Sequence, residues 1–140
     1  MTRYAIDAVT AIQLVRERVT VFDGRRSGEH QLVAPNRLRS DALSILYRAV
    51  RSGELSESDA RAQLDRITAM RIRLLGDRVS RAVAWRVAAQ LDWDDTAGAA
   101  EYLAVAHLQA DVFVTVDADL ARAVAGVVVV APFEVLAPGE

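Results

Sequence analysis

Between Asp111 and Asp117 the chain runs Val112-Phe113-Val114-Thr115-Val116, with no alternation of apolar and polar residues. A strand with one face in water alternates with period two; an unbroken apolar run suits a strand covered on both faces. Such strands belong to parallel sheets, where crossover helices lie on either side. Val127 to Val130 forms a second run of this kind, ended by Pro132, and Arg3 to Ile6 a short third one. Between them lie segments with helical spacing, so the order predicts an α/β fold with a central parallel sheet flanked by helices.

The helical segments carry their own start and stop signals. Ala8 to Arg16 follows Asp7 and turns Val9, Ile12 and Val15 inward. Pro35 suits the first turn of a helix that runs to about Ser52, and Gly53 ends it. Ser56-Glu57-Ser58-Asp59 resembles a capping box and opens a helix with Leu64, Ile67 and Met70 on its apolar side. Asp77 suits an N-cap for Val79 to Leu91. A helix is expected from about Ala97 to Gln109, and a short one from Asp119 to Ala125. Gln31 to Ala34 and Ile72 to Leu75 read as brief extended segments. Phe22 to Gln31 holds Asp23, Gly24 and Gly28 and reads as loop, and the tail to Glu140 as an edge segment or loose end.

With 140 residues, 52% of them hydrophobic, the chain suits one domain with one core, spanning 1–140. A net charge of -2 argues against a strongly basic nucleic-acid binder, but metal-binding carboxylates lower formal charge where an ion restores it. There is no cysteine, so thiolate and disulfide chemistry are absent and a reducing cytoplasm is compatible. The acid at position 7 argues against a signal peptide. No apolar run approaches the ~18 residues of a membrane span.

The acids are the chemically informative residues. Asp41 sits on or beside the stripe formed by Leu38, Ala42, Ile45, Leu46 and Ala49, where a carboxylate needs a partner or a cation. Asp7 and Asp117 close apolar strands, and ligand sites in parallel sheets lie beyond the carboxyl ends of strands. Converging carboxylates repel one another unless a cation is present. Oxygen-only ligation fits Mg²⁺ or Mn²⁺, and phosphodiester hydrolysis uses such ions most directly. Structural readings stand beside these. Asp7 and Asp117 can cap the helices that follow them, Asp41 can pair with Arg37 or Arg81, and Asp95 can cap a helix start. Thr115 can hydrogen-bond a ligand carboxylate or serve only as a strand residue. Arg16, Arg18, Arg25, Arg26, Arg37 and Arg39 offer phosphate contacts or a solvated face. Trp85 and Trp93 suit core or dimer surface better than base stacking, and His30 and His107 are isolated.

The stretches Tyr4-Ala5-Ile6-Asp7, Ala34-Pro35 followed by Asp41, and Ala100 to Ala106 leading to Phe113-Val114-Thr115-Val116-Asp117 resemble the PIN-domain family, specifically VapC-type toxin ribonucleases. The resemblance spans nearly the whole chain, and Thr-x-Asp after an apolar strand is its sharpest piece. It implies a PIN-like three-layer fold and an Mg²⁺- or Mn²⁺-dependent endoribonuclease that leaves a 5′-phosphate and a 3′-hydroxyl. It also implies a cytoplasmic homodimer held by a cognate antitoxin. Asp7, Asp41 and Asp117 would serve as catalytic and metal-binding residues. The chain departs from the pattern at Ala8, where the family carries Ser or Thr, and at Asp41, where it carries Glu. It departs again at Ala99, where it carries Asp. Asp95, four residues before Ala99, and Glu101, two after it, are the candidates for the missing acid. The alternative is a PIN-like binding or regulatory module whose catalytic site has lapsed. Asp117-Ala118-Asp119 also resembles the start of a haloacid-dehalogenase-type phosphatase, but only residues 120–140 follow it. A receiver-like phosphoacceptor would need a late lysine, and the sequence has none.

Overall fold

The apolar runs assemble into one five-stranded sheet in a computed structural model that describes residues 2–20, 22 and 30–137. The strands are β1 (Thr2–Ile6), β2 (His30–Pro35), β3 (Ile72–Leu75), β4 (Val112–Val114) and β5 (Val130–Ala131). Their order is β3-β2-β1-β4-β5 and every pairing is parallel. The helices α1 (Ala8–Arg16), α2 (Leu38–Arg51), α3 (Glu57–Ala69), α4 (Arg78–Gln90), α5 (Ala100–Gln109) and α6 (Ala118–Val124) flank it. Helix α5 packs on β1, β2 and β4 and carries α4, while α1, α2 and α3 pack on one another. Ile6, Leu14, Leu32, Leu103 and Phe113 are fully buried at the centre. Each such side chain contributes roughly 1.5–3 kcal/mol on leaving water.

Helix starts follow the sequence signals. The side chains of Asp7, Ser56, Asp77 and Asp117 accept amide hydrogen bonds from Thr10, Asp59, Ser80 and Leu120, at 3.0, 3.1, 2.8 and 3.0 Å. Each satisfies one of the amides that a helix leaves unpaired at its start. Gly53 closes α2 with φ 83°. Its amide bonds to the Val50 carbonyl and that of Glu54 to Ala49, at 3.1 and 2.9 Å, the paired closure a left-handed residue permits.

Several boundaries differ from the sequence reading. Pro35 ends β2 rather than opening α2, which starts at Leu38; the Asn36 amide then bonds to the Leu75 carbonyl, at 3.0 Å. The extended segment before it is a full strand lying between β1 and β3. Strand β4 stops at Val114, because the Val116 amide donates to the Thr10 hydroxyl instead of to the sheet. The valine run 127–130 yields only Val130–Ala131 as strand. The amides of Val127 and Val128 are still bonded to the Val124 carbonyl at the end of α6. Helix α5 begins at Ala100, not near Ala97. The expected glycine loop at Asp23, Gly24 and Gly28, together with Arg25, Arg26 and residues 138–140, lies outside the described residues.

The strand order defines where a site belongs. From β1 the chain goes outward through β2 and β3 on one side, then returns to β4 and β5 on the other. The crevice at the carboxyl ends of β1 and β4 is the topological switch point, where open parallel sheets bind ligands. Among the described residues no helix is long and apolar enough to cross a membrane.

Candidate active site at the carboxyl ends of β1 and β4

Asp7, Thr10 and Thr115 are the buried polar residues among those described, and all three meet at this switch point. One oxygen of Asp7 accepts from the Thr10 amide at 3.0 Å and from the Thr10 hydroxyl. The other accepts from the Thr115 hydroxyl at 2.6 Å. Each hydroxyl is itself an acceptor. The Val116 amide donates to Thr10 at 3.2 Å, and the Asp117 amide to Thr115 at 3.1 Å. Their donor directions are thus set toward Asp7. The network ties the β1–α1 junction to the β4–α6 junction. The hydroxyl missing at Ala8 has a counterpart two residues on, at Thr10.

A second cluster joins α2 to α5. The Arg37 guanidinium grips Asp41 with Nε at 2.8 Å and Nη2 at 3.3 Å, and its Nη1 reaches Glu101 at 2.9 Å. The Tyr102 hydroxyl donates to Asp41 at 2.5 Å. Burial, then the hydrogen bond to Asp41, pushes the Tyr102 phenol well above its ordinary value, and the charge of Asp7 adds to the rise. The elements that carry the two clusters pack together, α5 on β1 and α1 on α2. Burial alone would lower the Arg37 pKa, but its bonds to Asp41 and Glu101 outweigh burial and raise it.

The other predicted acids lie as follows. Asp117 is exposed, caps α6 through Leu120, and is linked to Asp7 through the single hydroxyl of Thr115. Asp95 lies in the exposed loop before α5, where it accepts the Ala97 amide at 2.9 Å. It is thus not in the first turn of that helix. Ala99 is the N-cap of α5 and offers no side-chain cap. Glu101, one turn position inside, is the acid that joins the Asp41 cluster. Its contact with Arg37 crosses 64 positions and has no local signal in sequence. Thr10 was not singled out either; an Asp with Thr three residues later, at a strand end, is the pattern that marks it. Arg16 bonds to Gln63 and Arg39 to the Thr68 carbonyl, so the guanidinium held at the acids is that of Arg37.

The donors are carboxylate and hydroxyl oxygens, the chemistry of hard divalent cations. Among the described residues no three His, Cys, Asp or Glu side chains form a ready metal cage. Among the described residues the hydrogen-bond donors to Asp7 are all neutral, whereas Asp41 holds a cationic partner.

The chain matches no protein-family model and no curated protein. Among solved structures it is similar to the crystal structure of PAE2754 from Pyrobaculum aerophilum, with a TM-score of 0.71 and 20% identity. That likeness covers 96% of this chain and 93% of the other, and it shows the three-layer α/β fold.

Proposed function

We propose that this chain is a PIN-like, Mg²⁺- or Mn²⁺-dependent endoribonuclease, the toxin of a toxin–antitoxin pair. The carrying observation is that, of the three buried polar side chains among the described residues, two donate to the third, the Asp7 carboxylate at the switch point. A core that is otherwise apolar holds that network at a cost in desolvation, which a purely structural cap does not require. In this reading Asp7 and Asp41 hold the ion with Asp117 at its margin, while Asp95 serves its own loop. A bound ion polarises the phosphodiester and activates a water. Thr10 and Thr115 fix the direction of Asp7. Arg37 lies at the mouth and can exchange a carboxylate for an RNA phosphate, which matches its planar fork equally well. Homodimerisation, a cognate antitoxin and a cytoplasmic setting belong to the same proposal, and Trp85, 76% exposed on α4, is surface suited to a protein contact.

A second reading, a lapsed PIN-like binding module, is favoured by Ala99 and by the neutralisation of Asp41 through Arg37. Cleavage of single-stranded RNA separates the two. The enzyme reading expects cleavage with Mn²⁺ or Mg²⁺ that stops on chelation. A chain that binds RNA but never cuts it, with either ion present, supports the lapsed module instead.

A further inference from the structure

Beside the Asp7 network an open cleft of about 690 Å³ lies between α1, α6 and the end of β5. Its size falls within the roughly 300–1,000 Å³ of small-ligand sites. Thr115 and Val116 belong to its wall, so it is continuous with the candidate active site. Its lining is apolar at Ala131, Pro132 and Phe133, and its polar side chains are Gln13, Glu17, Thr115 and Glu134. The two acids make it hostile to a phosphate. An uncharged, flat group with hydrogen-bond donors on its edge is what this surface accepts.

We propose that this cleft binds an unpaired guanine base of the RNA substrate, stacked on Phe133 and read by Glu134. The inference rests on the ribonuclease reading above and adds a base preference to it. Unpaired bases are recognised by stacking on aromatic side chains and by hydrogen bonds to their Watson–Crick edges. Guanine presents two adjacent donors there, the N1–H and the N2 amino group, which match the two oxygens of one carboxylate. Adenine and cytosine present one amino group on that edge, and uracil a single N3–H. Among the described residues the Glu134 side chain has no hydrogen-bond or ion-pair partner, so its carboxylate is free to accept both. Gln13 donates one amide hydrogen to Glu17 at 2.5 Å and keeps the second. That second hydrogen suits the O6 acceptor beside the guanine donors.

The test is titration of the full chain with guanosine, inosine and uridine, followed by amide chemical shifts. Guanosine should move the amides of Val130, Ala131, Phe133 and Glu134 and the Gln13 side-chain amide. Inosine lacks the N2 amino group and should bind about tenfold more weakly, the loss of one charge-assisted hydrogen bond. Glu134→Gln, an exposed and conservative change, should abolish the difference between guanosine and inosine. Equal binding of uridine, shifts confined to another surface, or an unchanged preference in Glu134→Gln would each overturn the proposal. Nucleoside binding is read without any cleavage. Guanosine selection in a chain that cuts no RNA therefore defeats the ribonuclease reading and leaves the cleft standing. Cleavage with no preference for guanosine does the reverse.

Discussion

The two acidic clusters solve the same problem in opposite ways. Around Asp7 the donors are two hydroxyls and one amide, all neutral, inside a core whose other members are apolar. Around Asp41 the partners are a guanidinium and a phenol, and the side chains of Asp41 and Arg37 remain 25% and 31% exposed. Among the described residues Asp7 is thus oriented by neutral donors and has no ion-pair partner. Asp41 is cancelled and held near water. In the proposed function a cation at the crevice would meet a carboxylate without a cationic partner at Asp7 and would have to displace Arg37 at Asp41. On the proposed function the contrast would make Asp7 the centre of the site and Asp41 its adjustable member.

The largest effect should come from Asp7→Ala. It removes the cap of α1 and strands both threonine hydroxyls, a cost of about 3 kcal/mol. Asp41→Ala should cost only about 1 kcal/mol, since Arg37 keeps Glu101 and the site is half open. Urea denaturation of the two variants measures the difference, and equal losses would erase the distinction between the clusters.

Thr10→Val and Thr115→Val come next. Each keeps shape but removes one donor to Asp7 and one acceptor for a backbone amide, at about 1–3 kcal/mol. Thr10→Ser and Thr115→Ser should recover most of that loss. Failure of the serine variants to recover would mean that the methyl groups, not the hydroxyls, hold the junction.

Tyr102 offers a pH test of the second cluster. Its folded pKa is raised, mainly by burial and by Asp41. Its contribution to stability is therefore fully present below the unfolded tyrosine value of about 10 and is lost as pH rises from there through the raised folded value. Denaturation midpoints of the wild type should hold from pH 8 to about 10 and fall above it, and Tyr102→Phe should flatten that decline. A parallel fall in both proteins would remove Tyr102 from the account.

The smallest effect belongs to Asp95→Ala. Its carboxylate bonds to the Ala97 amide of its own exposed loop. We expect a loss of about 0.5–1 kcal/mol and no change in metal-dependent cleavage. Loss of cleavage would return Asp95 to the site as the replacement for the acid absent at Ala99.

The contrast between the clusters also explains what could be read from sequence. Asp7 and Asp117 were legible because strand ends and helix caps are local patterns, and α1 was bounded correctly from Asp7 onward. Asp41 was legible as an acid on an apolar stripe, and Arg37 four residues earlier was a visible partner. The link from Arg37 to Glu101 was not, because it joins two helices far apart in the chain. The valine-rich strands were found but overextended. Periodicity reports burial, whereas strand length depends on which amides the Thr10 hydroxyl and the end of α6 have already claimed. Pro35 was misplaced because its fixed φ suits the end of a strand as well as a helix start.

The most direct measurement is Mn²⁺ binding by calorimetry on the wild type and on Asp7→Asn, each paired with an RNA cleavage assay. Asparagine keeps the shape and one acceptor but removes the charge. The wild type should bind Mn²⁺ and cleave RNA, and Asp7→Asn should stay folded while losing both. Equal Mn²⁺ binding by the two proteins, or cleavage that survives in Asp7→Asn, would contradict the claim that Asp7 is the chemical centre of this fold.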